Sequence, residues 1–164
     1  MRRLFILLCC LLAPMLALAP ASALSAEGEV IAVIVPHSMS ISSISPVELS
    51  LIFWRKKLYW ADGKRMHPLN LPTDNPLRRQ FSQRILGSLP EAQTDYWNDQ
   101  YYHGNSPPHV VNSQEAMLRY VTESPGGIGY VHACKVDSRV KAILWIRADG
   151  SIANSAPVLD CPAD

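Results

Sequence analysis

A chain of 164 residues with a formal charge of +1 carries no basic excess for nucleic acid and no acidic tail. Hydrophobic residues make up 48% of it, enough to bury one real core. The five histidines invite a metal reading and the four cysteines a redox one.

The first residues address the compartment rather than the fold. Arg2 and Arg3 form a basic start, Leu4 to Leu18 is an apolar run broken by Pro14, and Ala21-Ser22-Ala23 offers a small-x-small cleavage site. The run is short for a membrane span. The expectation is a secretory signal over 1–23, cleaved after Ala23, and a periplasmic or secreted domain over 24–164 with an irregular C-terminal tail and no stable membrane span. Removing Arg2 and Arg3 takes the formal charge from +1 to −1. Cys9 and Cys10 leave with the signal, so Cys134 and Cys161 remain as an even pair in an oxidising compartment. A bridge between them closes a loop of about 28 residues and adds roughly 3 kcal/mol on the chain-entropy account. Two independent thiols are the alternative.

Glu29 to Val35 turns apolar and β-branched after its first residue and stops at Pro36, the pattern of a central strand covered on both faces. Ser45-Pro46 starts a helix, with Ser45 as N-cap and Glu48 placed to complete a capping box. Leu49, Ile52 and Phe53 give that helix its inner face. Arg55, Lys56 and Lys57 read most simply as a solvated helix end. A second strand is expected from Met66 to Leu71, ended by Pro72. Asn75-Pro76 repeats the helix-start signal, and Leu77, Phe81, Ile85 and Leu86 form an inward stripe before Gly87. A third helix runs from about Pro90 through Tyr96 and Trp97 toward Tyr101. After the Pro107-Pro108 loop, a helix over Asn112–Glu123 opens on Asn112 or Ser113, with Glu115 placed to close a box onto Asn112. Its apolar stripe is Ala116, Met117, Tyr120 and Val121. Pro125 stops it, and Gly126, Gly127 and Gly129 supply either positive φ or close backbone approach before the strand that starts at Ile128. Val140 to Ile146 is the last strand.

Little in this pattern points to catalysis. His37, His67, His103, His109 and His132 lack metal-ligand spacing, and there is no Gly-x-Ser-x-Gly elbow. No metal, no cofactor and no enzyme activity are expected. The more suggestive stretch is Thr73, Asp74, Asn75, Arg78 and Arg79. There a strand ends and a helix begins, so free backbone N–H groups converge on a seat for a small anion, with either arginine lending charge. The competing reading is an ordinary capped helix whose amides are satisfied by Asp74 or Asn75.

The order of motifs resembles the second lobe of the phosphate-binding component of bacterial phosphate importers, a type 2 periplasmic binding protein. The matching pieces are the buried strand, Ser45-Pro46-Val47-Glu48-Leu49 leading to Ile52-Phe53, Trp60, the polar turn at Thr73 to Asn75, and Ser124-Pro125-Gly126-Gly127-Ile128-Gly129-Tyr130-Val131. It is also similar to short stand-alone proteins of that superfamily, which carry a Gly-x-x-Pro-Pro loop, here Gly104 to Pro108. The resemblance implies an α/β fold, a mixed sheet flanked by helices forming a single lobe. It further implies a solute-binding module related to ABC transporters, with phosphate or another small anion as ligand. This chain departs from the family at its phosphate loop. The family's Arg is Leu71 here, and its Ser-Gly-Thr is Asn75-Pro76-Leu77. The alternative function is an interaction module that has lost its ligand and binds a periplasmic protein partner or a second copy of itself. Trp54, Tyr59, Trp60, Trp97, Tyr101 and Tyr102 supply interface-type composition for that reading.

Overall fold

The computed structural model describes residues 29–161. The expected signal over 1–23 and its cleavage point lie outside them. Six strands form one mixed sheet in the order β3-β2-β4-β1-β5-β6: β1 (Ile31–Pro36), β2 (His67–Asn70), β3 (His109–Val110), β4 (Gly127–His132), β5 (Val140–Ile146) and β6 (Ile152–Ala153). β1 sits between β4 and β5 and pairs antiparallel with both, and all six of its residues are buried. That is the interior place its apolar run requires. β2 runs parallel to β3 and β4. The two-residue strands β3 and β6 carry no periodic signal and exist only because neighbouring strands template them.

Helices cover the sheet: α1 (Pro46–Phe53), α2 (Pro76–Phe81), α3 (Thr94–Tyr102) and α4 (Gln114–Glu123). The α1 cap forms as expected, Ser45 Oγ accepting from the Glu48 N–H at 3.1 Å. The other half of that box does not form, because the Glu48 carboxylate pairs with Lys57. α4 starts on Ser113, whose Oγ accepts from the Ala116 N–H at 3.1 Å. Glu115 is therefore one residue out of register for a box and bonds Arg139 instead, at 2.7 Å and 3.0 Å.

The basic triplet after α1 is less solvated than its composition suggests. Arg55 is a half-buried left-handed residue (φ 59°) at a helix end. Its Nη1 donates to the Met66 carbonyl at 3.4 Å. Lys56 lies 5.8 Å from the Tyr96 ring centroid. Trp54, Tyr96 and Trp97 make an aromatic cluster above it, with Trp54 and Trp97 stacked at 5.8 Å.

Close approach, not positive φ, explains the glycines where α4 gives way to β4 and within β4 itself. A Cβ on Gly126 would stand 1.9 Å from the Arg65 carbonyl oxygen, and one on Gly129 would stand 2.3 Å from Met117 Sδ on α4. Trp60 is core and ties this corner down, its Nε1–H donating to the Gly126 carbonyl at 3.2 Å. The tail after β5 is held by a Cys134–Cys161 disulfide, Cα atoms 5.5 Å apart. Beneath the sheet's other half, Phe81 stacks on Tyr130 at 4.1 Å and tilts against Phe53 at 4.7 Å. This aromatic stack brings the Tyr130 hydroxyl to the end of β2.

Candidate anion-binding site

β2 and β3 run side by side and end at Asn70 and Val110. In open α/β sheets the ligand crevice lies outside the carboxyl ends of the strands. Here a cleft of about 290 Å3 opens at that place, lined among others by Asn70, Thr73, Arg78, Gln93, Trp97 and Pro108.

Arg78 is its one charged residue. It lies on the buried face of α2 with Leu77 and Phe81 and is only 6% exposed. Its Nη2 donates to Gln93 Oε1 over a long 3.4 Å, and Nε and Nη1 have no partner. Burial pulls its pKa below the ordinary arginine value, opposed by the neighbouring Tyr130. An ion held this way costs several kcal/mol unless a counter-charge and hydrogen bonds offset it.

The polar groups around Arg78 are oriented by what they can and cannot donate. The Leu71 N–H donates to the Tyr130 hydroxyl oxygen at 3.2 Å. A backbone N–H is only a donor, so the hydroxyl's own proton goes to Asn70 Oδ1, 3.3 Å away. That fixes the Asn70 amide with Nδ2 left as a donor. Burial pushes the Tyr130 phenol far above its usual pKa, partly countered by Arg78, so the relay keeps its proton. Gln93 is fixed in the same manner. Its Nε2 donates to the Ser88 carbonyl at 3.1 Å, which turns Oε1 toward Arg78.

The residues expected from sequence divide between two clefts. Thr73 and Arg78 meet at the one just described. Asp74 and Arg79 line its neighbour, which Thr73 also borders, and there Arg79 Nη1 pairs with Glu91 Oε1 at 2.7 Å. Asn75 caps its own helix, Oδ1 accepting from the Leu77 N–H at 3.0 Å and the Arg78 N–H at 3.4 Å. Pro76 has no N–H to offer. Asn75 thus takes the Leu77 and Arg78 N–H groups, and its own N–H donates to the Pro72 carbonyl at 3.1 Å, in a helix of only six residues.

Asn70 and Gln93 escaped the sequence reading, and Tyr130 entered it only as part of the strand motif. The one local signal was Asn70, a polar residue flanked by Leu69 and Leu71 at the end of the second strand. Gln93 lies in a 3-10 turn (Pro90–Gln93) ahead of α3 and carries none. His67 and His109 border one cleft, but among the described residues no group of three or more His, Cys, Asp or Glu is placed to hold a metal. Nor is any described helix long and apolar enough to cross a membrane.

No family model and no curated protein sequence matches this chain. Solved structures do. An ABC-type phosphate transport receptor from Vibrio cholerae superposes with a TM-score of 0.56 at 17% identity, covering 70% of this chain and 45% of its own. A phosphate ABC transporter substrate-binding protein from Clostridium perfringens, solved with bound phosphate, gives 0.57 at 19% identity, covering 71% and 46%. The chain shares the periplasmic-binding-protein fold. It spans less than half the length of these neighbours, in keeping with a single lobe. At such identity the likeness speaks to the fold alone.

Proposed function

We propose that this chain is a periplasmic, non-catalytic solute-binding module, equivalent to the second lobe of the phosphate-type binding proteins, that holds a small anion against Arg78. One observation carries the reading: a buried guanidinium with two unpartnered nitrogens borders an open cleft at the carboxyl ends of β2 and β3. An anion there supplies the counter-charge the fold withholds. Asn70 Nδ2 and the Thr73 hydroxyl are the next donors at hand, and no carboxylate lines the cleft to repel the ligand. The substrate-binding character of the structural neighbours supports the same class. The disulfide fits an oxidising compartment. A one-lobed cleft leaves its ligand in contact with water, so affinity is weak, on the order of 0.1–10 mM, and falls as salt rises.

An NMR titration with phosphate, sulfate and acetate tests this by following the Asn70 and Gln93 side-chain amides and the Thr73 N–H. Shifts there that disappear in Arg78→Gln are expected. Shifts confined elsewhere, or none at tens of millimolar, sink the reading. The interaction-module alternative draws on α3, which buries no residue and leaves Tyr101 and Tyr102 72% and 88% exposed. It gains if no anion binds and sedimentation shows a dimer that Tyr102→Ala breaks.

A further inference from the structure

The lining of the Arg78 cleft carries more information than its charge. Resting on the anion site proposed above, we infer that its ligand is a monocarboxylate with a short apolar body rather than an inorganic oxyanion.

The charge balance comes first. The cleft offers one cation and no second Lys, Arg or His. A carboxylate matches that single charge, whereas phosphate near neutral pH brings up to two. The planar guanidinium also matches a carboxylate in shape, two parallel N–H···O bonds along one edge. Nε and Nη1 are unpartnered but closed to water, and the one bond the guanidinium makes is the long one from Nη2 to Gln93.

Donor supply points the same way. A tetrahedral oxyanion held tightly is wrapped by donors on all sides, commonly the backbone N–H groups of a helix start. Here those amides belong to Asn75, and Pro76 has none. The Thr94 hydroxyl donates to the Glu91 carbonyl at 2.9 Å, and Gln93 Nε2 is spent on Ser88. What remains is Arg78, Asn70 Nδ2, Thr73, Asn98 and the Trp97 indole N–H. That set serves one carboxylate and leaves a phosphate under-coordinated.

The rest of the wall is apolar: Pro90, Trp97, Pro107, Pro108 and Val110. Prolines have no N–H to donate, and the indole offers a single one, so most of this wall suits hydrocarbon. A cleft of about 290 Å3 exceeds what a bare oxyanion fills. Pockets for organic ligands have this make-up, apolar walls with a few polar groups that set orientation.

Calorimetry at constant ionic strength with sodium formate, acetate, butyrate and phosphate decides the matter. Affinity should rise along the carboxylates by about fourfold per buried methylene, and butyrate should bind at least tenfold tighter than phosphate. Phosphate binding as tightly as butyrate, or carboxylates of equal affinity whatever their length, overturns this inference and leaves the anion site standing. Absence of binding by every probe overturns both. Arg78→Gln should abolish binding of all probes. Because Arg78 is buried, Val110→Asp serves as the second variant: Val110 is 48% exposed, so the fold tolerates the change. It should weaken butyrate several-fold with the thermal midpoint unchanged. Unaltered butyrate affinity in Val110→Asp would place the ligand elsewhere and overturn the inference.

Discussion

Arg78 and Arg79 are consecutive residues of one short helix, yet the fold treats them oppositely. Arg79 points outward, pairs with Glu91 at 2.7 Å and borders a cleft that also holds Asp74. Arg78 points inward, is 6% exposed and keeps two nitrogens without partners. The exposed pair is screened by water and worth little. The buried charge has little water to screen it, which is why the proposed ligand is placed at Arg78. A second contrast lies between this region and the Gly126–Gly129 corner. Both join a helix to a strand, but the corner is filled to contact and its Trp60 indole is bonded, while the Arg78 region keeps a cleft and an open valence. One joint is closed by packing, and the other is left open.

The largest expected effect tests the packed joint. Gly126→Val should cost about 3 kcal/mol or more, because its side chain must displace backbone rather than a flexible neighbour. Gly129→Val should cost about 1–3 kcal/mol, since Met117 can give way in part. Thermal or urea unfolding checks both, and the loss should not shrink when butyrate or phosphate is added. A variant at Gly126 as stable as the parent would show that the corner is not tight.

Next in size is the tail. Replacing Cys134 and Cys161 by Ser opens a cross-link with a sequence separation of 27 and should cost about 3 kcal/mol. Urea unfolding of the variant beside the reduced and oxidised parent measures it. Mass spectrometry without reductant should find no free thiol at either position.

The comparison of the two arginines is sharpened most directly by making both apolar. Without ligand, Arg78→Met should stabilise the protein by about 1–3 kcal/mol, because it removes a charge that burial penalises and nothing pairs. The same change at Arg79 should leave the thermal midpoint nearly where it was. If Arg78→Met is strongly destabilising, the guanidinium is structural rather than held open for a ligand.

The smallest effect concerns pH. The Glu91 carboxyl is held below its ordinary pKa, first by its own backbone N–H and then by Arg79. A carboxyl lowered in the folded state stabilises above its unfolded pKa of about 4.3, and that contribution is lost as pH falls through the folded value. Arg79→Met should therefore flatten the acid limb of an unfolding profile slightly below pH 4.3, whereas Arg78→Met should leave that limb unchanged.

Most of the frame was legible because it rests on local patterns. The β-branched run of β1, the Ser45-Pro46 and Asn75-Pro76 helix starts, and the apolar stripe through Met117 and Val121 each state their structure within a few residues. The glycine corner was legible as a corner. Which property of glycine it used was not, since crowding by Arg65 and Met117 depends on atoms 61 and 12 positions away in the chain. The capping boxes show the same limit: Glu48 had the right spacing but pairs with Lys57, and Glu115 fell one residue out of register once the helix started on Ser113 and pairs with Arg139.

By itself, then, the sequence determined the strands and helices with strong periodicity, the even cysteine pair and the polar turn after β2, because each depends on neighbours in the chain. Tertiary structure alone decided which of two adjacent arginines is buried. It also set the side of Asn70 and Gln93 that faces the cleft, and left the Arg78 guanidinium short of partners. Those outcomes hang on donors and acceptors drawn from β2, β4 and the Ser88–Gln93 turn, brought within about 3.4 Å of one another only when the sheet closes. Hydrogen-bond direction is a property of pairs, and the pairs do not exist until the chain has folded.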